Sequence, residues 1–392
     1  MSFGILTLIV ACGLAGPLLA AATRLAVPVV VGEIAAGVVV GKTGLGDINT
    51  ADPTVVFLSS VGFAMLMFVV GTHLPLRDRG LRRALRTAGI AAVLSFAIAV
   101  PGGWLLADVS GVGHPAVFVL LLAASSSAVV MPIIQERGIT GEEMLVATTW
   151  IALVDIASIV ALPVALTPAK AFRIGGGGVL VACAAVGLFA IVHAYRGDRV
   201  VVALRTGSQQ RGWALDLRVS LLVLFGLAAL ATRFGTSILI AGFAAGMIVA
   251  LAGEPRRLTQ QLVGLAEGFF VPLFFVTLGA KLDFRALGSS RSDLALVGLL
   301  SAAIVICHVA VARLMRMPWG SGLLASAQLG LPAGVVALGL AERILTPGQG
   351  AAIVASALIS LGVASLGAVL LSRAAGPPPP APVPAPAAGT PG

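Results

Sequence analysis

The sequence predicts an all-α polytopic membrane protein with about 13 transmembrane helices arranged as two inverted repeats. Its 392 residues are 58% hydrophobic and only 10% charged, and the mean hydropathy is +1.07. Thirteen apolar runs follow one another, most of them long enough to cross the roughly 30 Å hydrocarbon core of a bilayer as a helix. Two segments in the first half recur in the second half at nearly one offset. Together these observations exclude a soluble fold.

The apolar runs define the predicted helices, which we number as spans 1 to 13. The second is short, and the first lacks the positive region that precedes a cleaved signal, so we expect it to be a true span. Residues 374–392 are rich in Pro and Ala and predict a disordered tail after a membrane domain of residues 1–373. The predicted limits are 3–22, 26–41, 54–72, 87–107, 116–135, 144–166, 176–195, 214–232, 236–252, 262–280, 294–312, 319–341 and 350–372.

The distribution of basic residues predicts the orientation. An odd number of spans puts the two termini on opposite sides, and an outside N-terminus places 17 of the 25 Lys and Arg residues on inner connections. The positive-inside rule therefore favours a multi-pass protein of the cell (inner or plasma) membrane with an outside N-terminus and a cytoplasmic C-terminus. The formal net charge of +9 fits cytoplasmic loops and anionic headgroups rather than nucleic acid. The three cysteines each stand alone in an apolar run, which predicts neither disulfides nor a metal site.

An internal repeat relates the two halves of the chain. Residues 31–40 resemble residues 240–249 at an offset of 209, and residues 71–74 resemble residues 279–282 at an offset of 208. Because spans 3 and 10 end on opposite sides, the halves are inverted. We expect repeat 1 at about 1–167, a connector helix at about 174–195 and repeat 2 at about 214–372. Transporters of this design bind their substrate near the midplane, where discontinuous helices meet.

Asp155 is the first candidate for such a site. It is the only charge in the run from Met144 to Leu166 and lies at its middle. A carboxylate at the bilayer centre costs about 2.5–3.5 kcal/mol on insertion scales. That cost favours a group that binds a cation or a proton on a transport route, and the alternative is a structural carboxylate locked to a neighbouring helix.

Two spans carry helix-breaking residues in corresponding positions. Span 5 has three consecutive serines, followed by Pro132, and span 12 has a Gly and Pro cluster. Such residues interrupt helices, and Ser hydroxyls can satisfy freed backbone groups or coordinate a cation. The alternative is that small residues merely permit close helix packing. The candidate residues are Ser125, Ser126 and Ser127 in span 5, and Gly330, Pro332 and Gly334 in span 12.

Three further polar residues in the spans are weaker candidates. Glu33 in span 2 is expected to pair with backbone or a basic neighbour, and Glu267 near the start of span 10 is expected to cap or gate. His308 in span 11 is either a packed polar residue or a proton relay. We expect no cofactor and no metal other than a transported monovalent cation.

At the level of motifs, the chain resembles a known family. The segment from Pro28 to Gly41 resembles the P-x-V-x-G-E-I-x-A-G-x-x-L-G signature of monovalent cation:proton antiporters of the second antiporter superfamily, which includes the Kef-like and bacterial sodium/proton exchangers. The resemblance covers the membrane domain, to about residue 372. Further matches are 66–71, 125–130 with Pro132, 241–246 and 272–283.

This resemblance implies a thirteen-helix homodimer with a dimerisation part and a core part. In the core, two broken helices cross, and they match spans 5 and 12 here. The essential aspartate of the family falls on Asp155 and its hydroxyls on the span 5 serines. The implied activity is exchange of Na+ or K+ for H+ by alternating access, with one carboxylate alternately protonated or cation-bound.

The chain departs from the family pattern at four points. Val154 stands where an Asn, Asp or Gln usually precedes the aspartate, and span 11 offers Ile304 or His308 instead of a basic residue. The usual Gly-Glu pair of span 12 is replaced around Pro332, and no nucleotide-binding domain is recognised after the membrane part. One central carboxylate predicts one-for-one, electroneutral exchange.

Two other functions stay open, and a third is not expected. The first is a carrier of an organic anion with a similar inverted-repeat fold. The second is a transport-inactive sensory or structural membrane protein, which would explain the loss of the family's polar residues in spans 6, 11 and 12. An intramembrane enzyme is not expected, because an aspartyl type needs two central aspartates and no serine-enzyme motif is recognisable.

Overall fold

The computed structural model describes residues 2–22, 29–72, 81–136, 139, 141–166, 169, 171–195, 198–211, 213–234, 236–252 and 256–375. Several sequence-based predictions lie outside this part of the chain, namely Pro28, the end of the repeat at 73–74 and the tail beyond residue 375. Within the described part the regular structure is helical, with nineteen α-helices and one π-helical turn.

The helices follow the predicted spans closely. Their bounds are α1 Phe3–Gly13, α2 Ala15–Ala22, α3 Val29–Val40, α4 Pro53–Thr72, α5 Leu81–Ser110, α6 Pro115–Ala123, α7 Ser127–Glu136, α8 Glu142–Leu166, α9 Ala171–Tyr195, α10 Arg199–Arg211, α11 Leu215–Arg233, α12 Ile238–Ala252, α13 Arg256–Leu265, the π-helical turn Ala266–Phe270, α14 Val271–Lys281, α15 Phe284–Ser289, α16 Arg291–Leu314, α17 Trp319–Ala325, α18 Gly330–Ala341 and α19 Pro347–Ala375.

The predicted count of spans is confirmed. Ten helical stretches of the described residues are long and apolar enough to cross a membrane, and α3 and α12 are shorter apolar helices. The thirteenth span is the interrupted pair α6 and α7, whose halves are each too short to cross alone. The sequence did not predict α10, which occupies the connection between spans 7 and 8 and exposes Val200, Val202 and Leu204.

Two pairs of helices pack backbone to backbone, and the two pairs are equivalent under the repeat offset. Helix α3 lies against α14, and α12 lies against α4. At each crossing a glycine from either helix faces a carbonyl oxygen of the other, so closely that a Cβ would collide with it. The facing pairs are Gly37 with Val276, Gly279 with Ile34, Gly246 with Phe68, and Gly71 with Phe243. These are the close contacts that small residues permit between membrane helices.

The largest buried cluster surrounds the two interrupted spans. Helices α5, α6, α8, α16, α17, α18 and α19 contact one another and bury the interrupted region. A separate cluster joins α4 and α12 to α9 and α11. The fold therefore places both interruptions and the middle of α8 in one buried core.

Candidate functional site

The two interruptions are real breaks in the helices. Helix α6 ends at Ala123 and α7 begins at Ser127, so Ala124, Ser125 and Ser126 are not helical. Helix α17 ends at Ala325 and α18 begins at Gly330, which leaves residues 326–329 outside both helices. Each break lies near the middle of its span, as the sequence predicted for span 5.

In span 12 the break lies before the predicted residues. Gly330, Pro332 and Gly334 belong to the first turns of α18, and the break is formed by residues 326–329 instead. The reason is that Pro332 is the third residue of α18, where the backbone N–H has no intrahelical partner and its absence costs nothing. The proline therefore marks where the second half-helix starts.

Gln328 ties the two breaks together. Its side-chain Nε2 donates hydrogen bonds to the carbonyl oxygens of Leu121 and Ala124, at 2.5 and 2.8 Å. These carbonyls belong to the C-terminal end of α6, where the helix itself supplies no donor. The backbone N–H of Gln328 donates to Ser360 Oγ of α19 at 3.2 Å. The broken spans 5 and 12 thus cross in direct contact.

Asp155 faces the break of span 5 from the unbroken helix α8. Its side chain is 1% exposed, and Oδ2 accepts a 2.9 Å hydrogen bond from the backbone N–H of Ser127. Ser127 is the first residue of α7, so the carboxylate lies at a helix N-terminus, where unpaired N–H groups and the helix dipole stabilise negative charge. This hydrogen bond anchors one oxygen of the carboxylate at the break.

Around this carboxylate lie buried hydroxyl and amide oxygens that make no hydrogen bond within the described part of the chain. The three serines of the span 5 break are at most 2% exposed. Leaving a buried polar group unpaired costs about 1–3 kcal/mol, and each such group in a folded protein needs an explanation, such as a bound ion or water. The unpartnered atoms are Oγ of Ser125, Ser126, Ser127 and Ser158, and Oε1 of Gln328.

Sequence reasoning missed Ser158 and Gln328 as members of this site. Ser158 lies three residues after Asp155, a spacing that puts both side chains on one face of α8, and this spacing was a usable signal. Gln328 stands alone in an apolar span beside glycine and proline, but its partners are distant in sequence. Only the fold brings Leu121 and Ala124 to it.

His308 lies beside the site. It is fully buried in α16, its ring centroid is 5.8 Å from that of Trp150 in α8, and its imidazole interacts with the backbone at Ala123 and Ala124. Nδ1 lies 2.9 Å from the carbonyl oxygen of Ile304. Because a carbonyl only accepts, Nδ1 carries a proton and donates, and Nε2 has no hydrogen bond within the described residues.

Glu33 and Glu267 are not brought to Asp155. They line a separate cavity bounded by α1, α2, α3 and the π-helical turn, and this cavity shares no lining residue with the two breaks. Glu33 is 4% exposed, whereas Glu267 is exposed. The arrangement around Asp155 therefore contains one carboxylate, at least four hydroxyls, one amide and one imidazole.

Comparison with known proteins shows which family this sequence resembles. The sequence model of the family described as "Sodium/hydrogen exchanger, transmembrane" matches residues 7–373. The chain is 25% identical over 368 residues to YjbQ of Bacillus subtilis (strain 168), provisionally named an Na+/H+ antiporter, covering 88% of this chain and 59% of YjbQ. It is 26% identical to the glutathione-regulated potassium-efflux system protein KefC of Salmonella typhi, covering 95% of this chain and 61% of that protein.

A solved structure has the same fold. The sodium proton antiporter MjNhaP1 of Methanocaldococcus jannaschii, determined at pH 8, superposes with a TM-score of 0.60 at 17% sequence identity. The superposition covers 95% of this chain and 96% of the antiporter chain. The chain spans about three-fifths of the length of the curated relatives that it matches.

Proposed function

The chain belongs to the sodium/hydrogen exchanger family, and we propose that it exchanges a monovalent cation, Na+ or K+, for H+ across the membrane. The observation that carries this proposal is the buried carboxylate of Asp155, with one oxygen held by the N-terminus of α7 and unpartnered hydroxyls at the adjacent break. A carboxylate and neutral oxygens are the ligands that a hard cation prefers.

Competition for Asp155 would couple the two flows. The carboxylate holds either a proton or one cation, because a cation can be bound only after the proton has left. If the site is exposed to one side of the membrane at a time, each cation that binds releases a proton to that side. The break supports this step, since non-helical backbone and the ends of half-helices supply polar groups at membrane depth without requiring water.

Alternating access would move the core against the remaining helices. The two breaks lie in the largest buried cluster, whereas α9 and α11 pack with α4 and α12 in a second cluster. Exchange of an organic anion is less well supported, because the charged group at the break of span 5 is an acid. We also propose that the protein is a homodimer, with its N-terminus outside and its C-terminus in the cytoplasm.

The experiment that tests the proposal is Asp155→Asn in proteoliposomes. Asparagine keeps the size of the side chain and its acceptor for the Ser127 N–H but cannot titrate. We expect cation-driven proton movement, followed with an internal pH-sensitive dye in Na+, K+ and Li+ gradients, to be lost, while purified protein stays monodisperse. Asp108→Asn is the matched control, since Asp108 is exposed near the end of α5. Exchange at the wild-type rate in Asp155→Asn would refute the role of this carboxylate.

A further inference from the structure

A second acidic cavity lies away from Asp155. It has a volume of about 340 Å³ and is bounded by α1, α2, α3, the π-helical turn and the start of α14. Glu33 and Glu267 line it, and its remaining walls are apolar side chains and glycine. It shares no lining residue with the two breaks, so the exchange mechanism does not explain it.

Glu33 is the buried member of this pair. It is 4% exposed, and no described residue forms a hydrogen bond or an ion pair with its carboxylate. Its stem is held in place by a close approach of α2, because a Cβ on Gly16 would lie 2.8 Å from Glu33 Cγ and 2.6 Å from the Val29 carbonyl oxygen. An unpaired carboxylate that is both buried and fixed in direction is costly unless a ligand compensates it.

Glu267 reaches the same cavity from a π-helical turn. The N–H of Val271 donates to the carbonyl of Ala266, five residues earlier. Pro272 has no N–H, so the carbonyl of Gly268, four residues before it and in the same cavity wall, receives no α-helical bond from it. Such π-helical turns occur frequently at functional sites. A π-helical turn therefore lies where Glu267 and Gly268 line the cavity.

The two carboxylates interact electrostatically with the same sign of charge. Two like charges facing one cavity repel each other, and the repulsion is relieved when one carboxylate takes up a proton or when a cation lies between them. Both carboxylates offer oxygen ligands, and oxygen suits hard metal cations rather than soft ones. We propose that Glu33 and Glu267 bind a small hard metal cation in this cavity, at a second site separate from Asp155.

The position of the cavity suggests what the bound cation does. Glu33 is on α3 and Glu267 immediately precedes α14, the two helices that pack backbone to backbone through Gly37 and Gly279. A cation held by both carboxylates would bridge these helices. It therefore stabilises the part of the molecule against which the core is proposed to move. The site would be regulatory or structural, and its cation is not transported.

Direct binding to protein that lacks the transport carboxylate tests this inference. Full-length Asp155→Asn protein in lipid nanodiscs is assayed for bound ²²Na+, ⁸⁶Rb+ (in place of K+) and ⁴⁵Ca2+ by scintillation proximity. We expect saturable binding of at least one of these ions. That binding should disappear when Glu33→Gln is added, and persist when Glu143→Gln, at an exposed position at the start of α8, is added instead.

The binding assay distinguishes whether the second site exists. If Asp155→Asn protein binds none of the three ions, or if Glu33→Gln leaves the binding intact, the second site does not exist. Should Glu33→Gln aggregate, Glu267→Gln replaces it, and a cation-dependent rise in the melting temperature of Asp155→Asn gives an independent measure. The proposed exchange is judged separately, by proton movement in wild-type proteoliposomes.

Discussion

Asp155 combines two properties that are difficult to reconcile, burial inside a membrane helix and the need to be ionised for part of a transport cycle. The N–H of Ser127 at the start of α7 offsets the cost of the charge without a basic side chain. A lysine or arginine at this place would compete with the transported cation for the carboxylate. A helix N-terminus does not, because it carries no mobile cationic side chain and holds one oxygen of the carboxylate through a backbone N–H.

The span 5 serines give the first residue-scale prediction. Replacing Ser125, Ser126 and Ser127 together with Ala should raise the apparent KM for the transported cation about tenfold, the equivalent of one contact of about 1.4 kcal/mol. The Asp155 anchor remains, since it uses a backbone N–H. KM is measured from the initial rate of proton movement at increasing cation concentration.

The same variant separates coordination from structural support. The three hydroxyls have no hydrogen-bond partner within the described residues, so their removal leaves no partner unpaired and should not lower the melting temperature. A fall in melting temperature with an unchanged KM for every cation would mean that the serines serve packing alone.

Gln328 gives the second residue-scale prediction. Gln328→Leu keeps the volume but leaves the carbonyls of Leu121 and Ala124 buried without their donor, which should cost about 1–3 kcal/mol of stability. The measurement is thermal unfolding in detergent, followed by size-exclusion chromatography. Gln261→Leu, at an exposed position in α13, is the matched control. Equal melting temperatures for the two variants would contradict the role of Gln328 as a tie between the breaks.

How far these residues could be predicted depends on where their partners lie. Asp155 stands out because a single charge in a long apolar run is costly wherever the rest of the chain lies. The serines stand out for their local effect on a helix. Gln328 could not be assigned, because its hydrogen-bond partners are about two hundred positions away in the sequence. The residues next to Gln328 do not show whether its amide links two helices or is merely packed.

At the scale of elements, the glycine crossings show what the repeat preserves. Gly37 on α3 corresponds to Gly246 on α12, and Gly279 on α14 corresponds to Gly71 on α4, within one residue of a common offset. The repeat could be recognised in the sequence. The packing of these helices could not be predicted from it, because each crossing joins one helix from each repeat. The break of span 12 shows a similar limit, because Pro332 can end one helix or begin another.

These crossings predict an asymmetry among glycine substitutions. Gly246→Ala should be strongly destabilising, because its Cβ would collide with the Phe68 carbonyl oxygen and force the helices apart, at a cost of about 1–3 kcal/mol or more. Gly226→Ala in α11 has open space around its Cβ and should be neutral or slightly stabilising. Yield of monodisperse protein and melting temperature provide the comparison. If Gly226→Ala were the more damaging change, the crossing would not be a tight one.

At the scale of the whole molecule, the inventory of charge in the core limits what a transport cycle can carry. In span 6, Asp155 directly follows Val154, which is apolar and fully buried. In span 11, His308 lies near the end of α6 and donates a hydrogen bond to the carbonyl oxygen of Ile304. The core around the breaks therefore holds one acid and one imidazole among its described residues. The imidazole is the group that could add a second proton to the cycle.

Charge balance follows from this inventory and can be measured. If Asp155 alone alternates between one proton and one monovalent cation, no net charge crosses the membrane in a cycle, and exchange in proteoliposomes should have a rate and an end-point that do not respond to an imposed membrane potential. Moving one elementary charge across a potential of 100 mV changes its free energy by about 2.3 kcal/mol. This change is large enough to shift the end-point of any electrogenic exchange. An end-point that moves with voltage in the wild type would reject the one-carboxylate cycle. Loss of that voltage dependence in His308→Ala, with exchange retained, would then assign the second proton to His308.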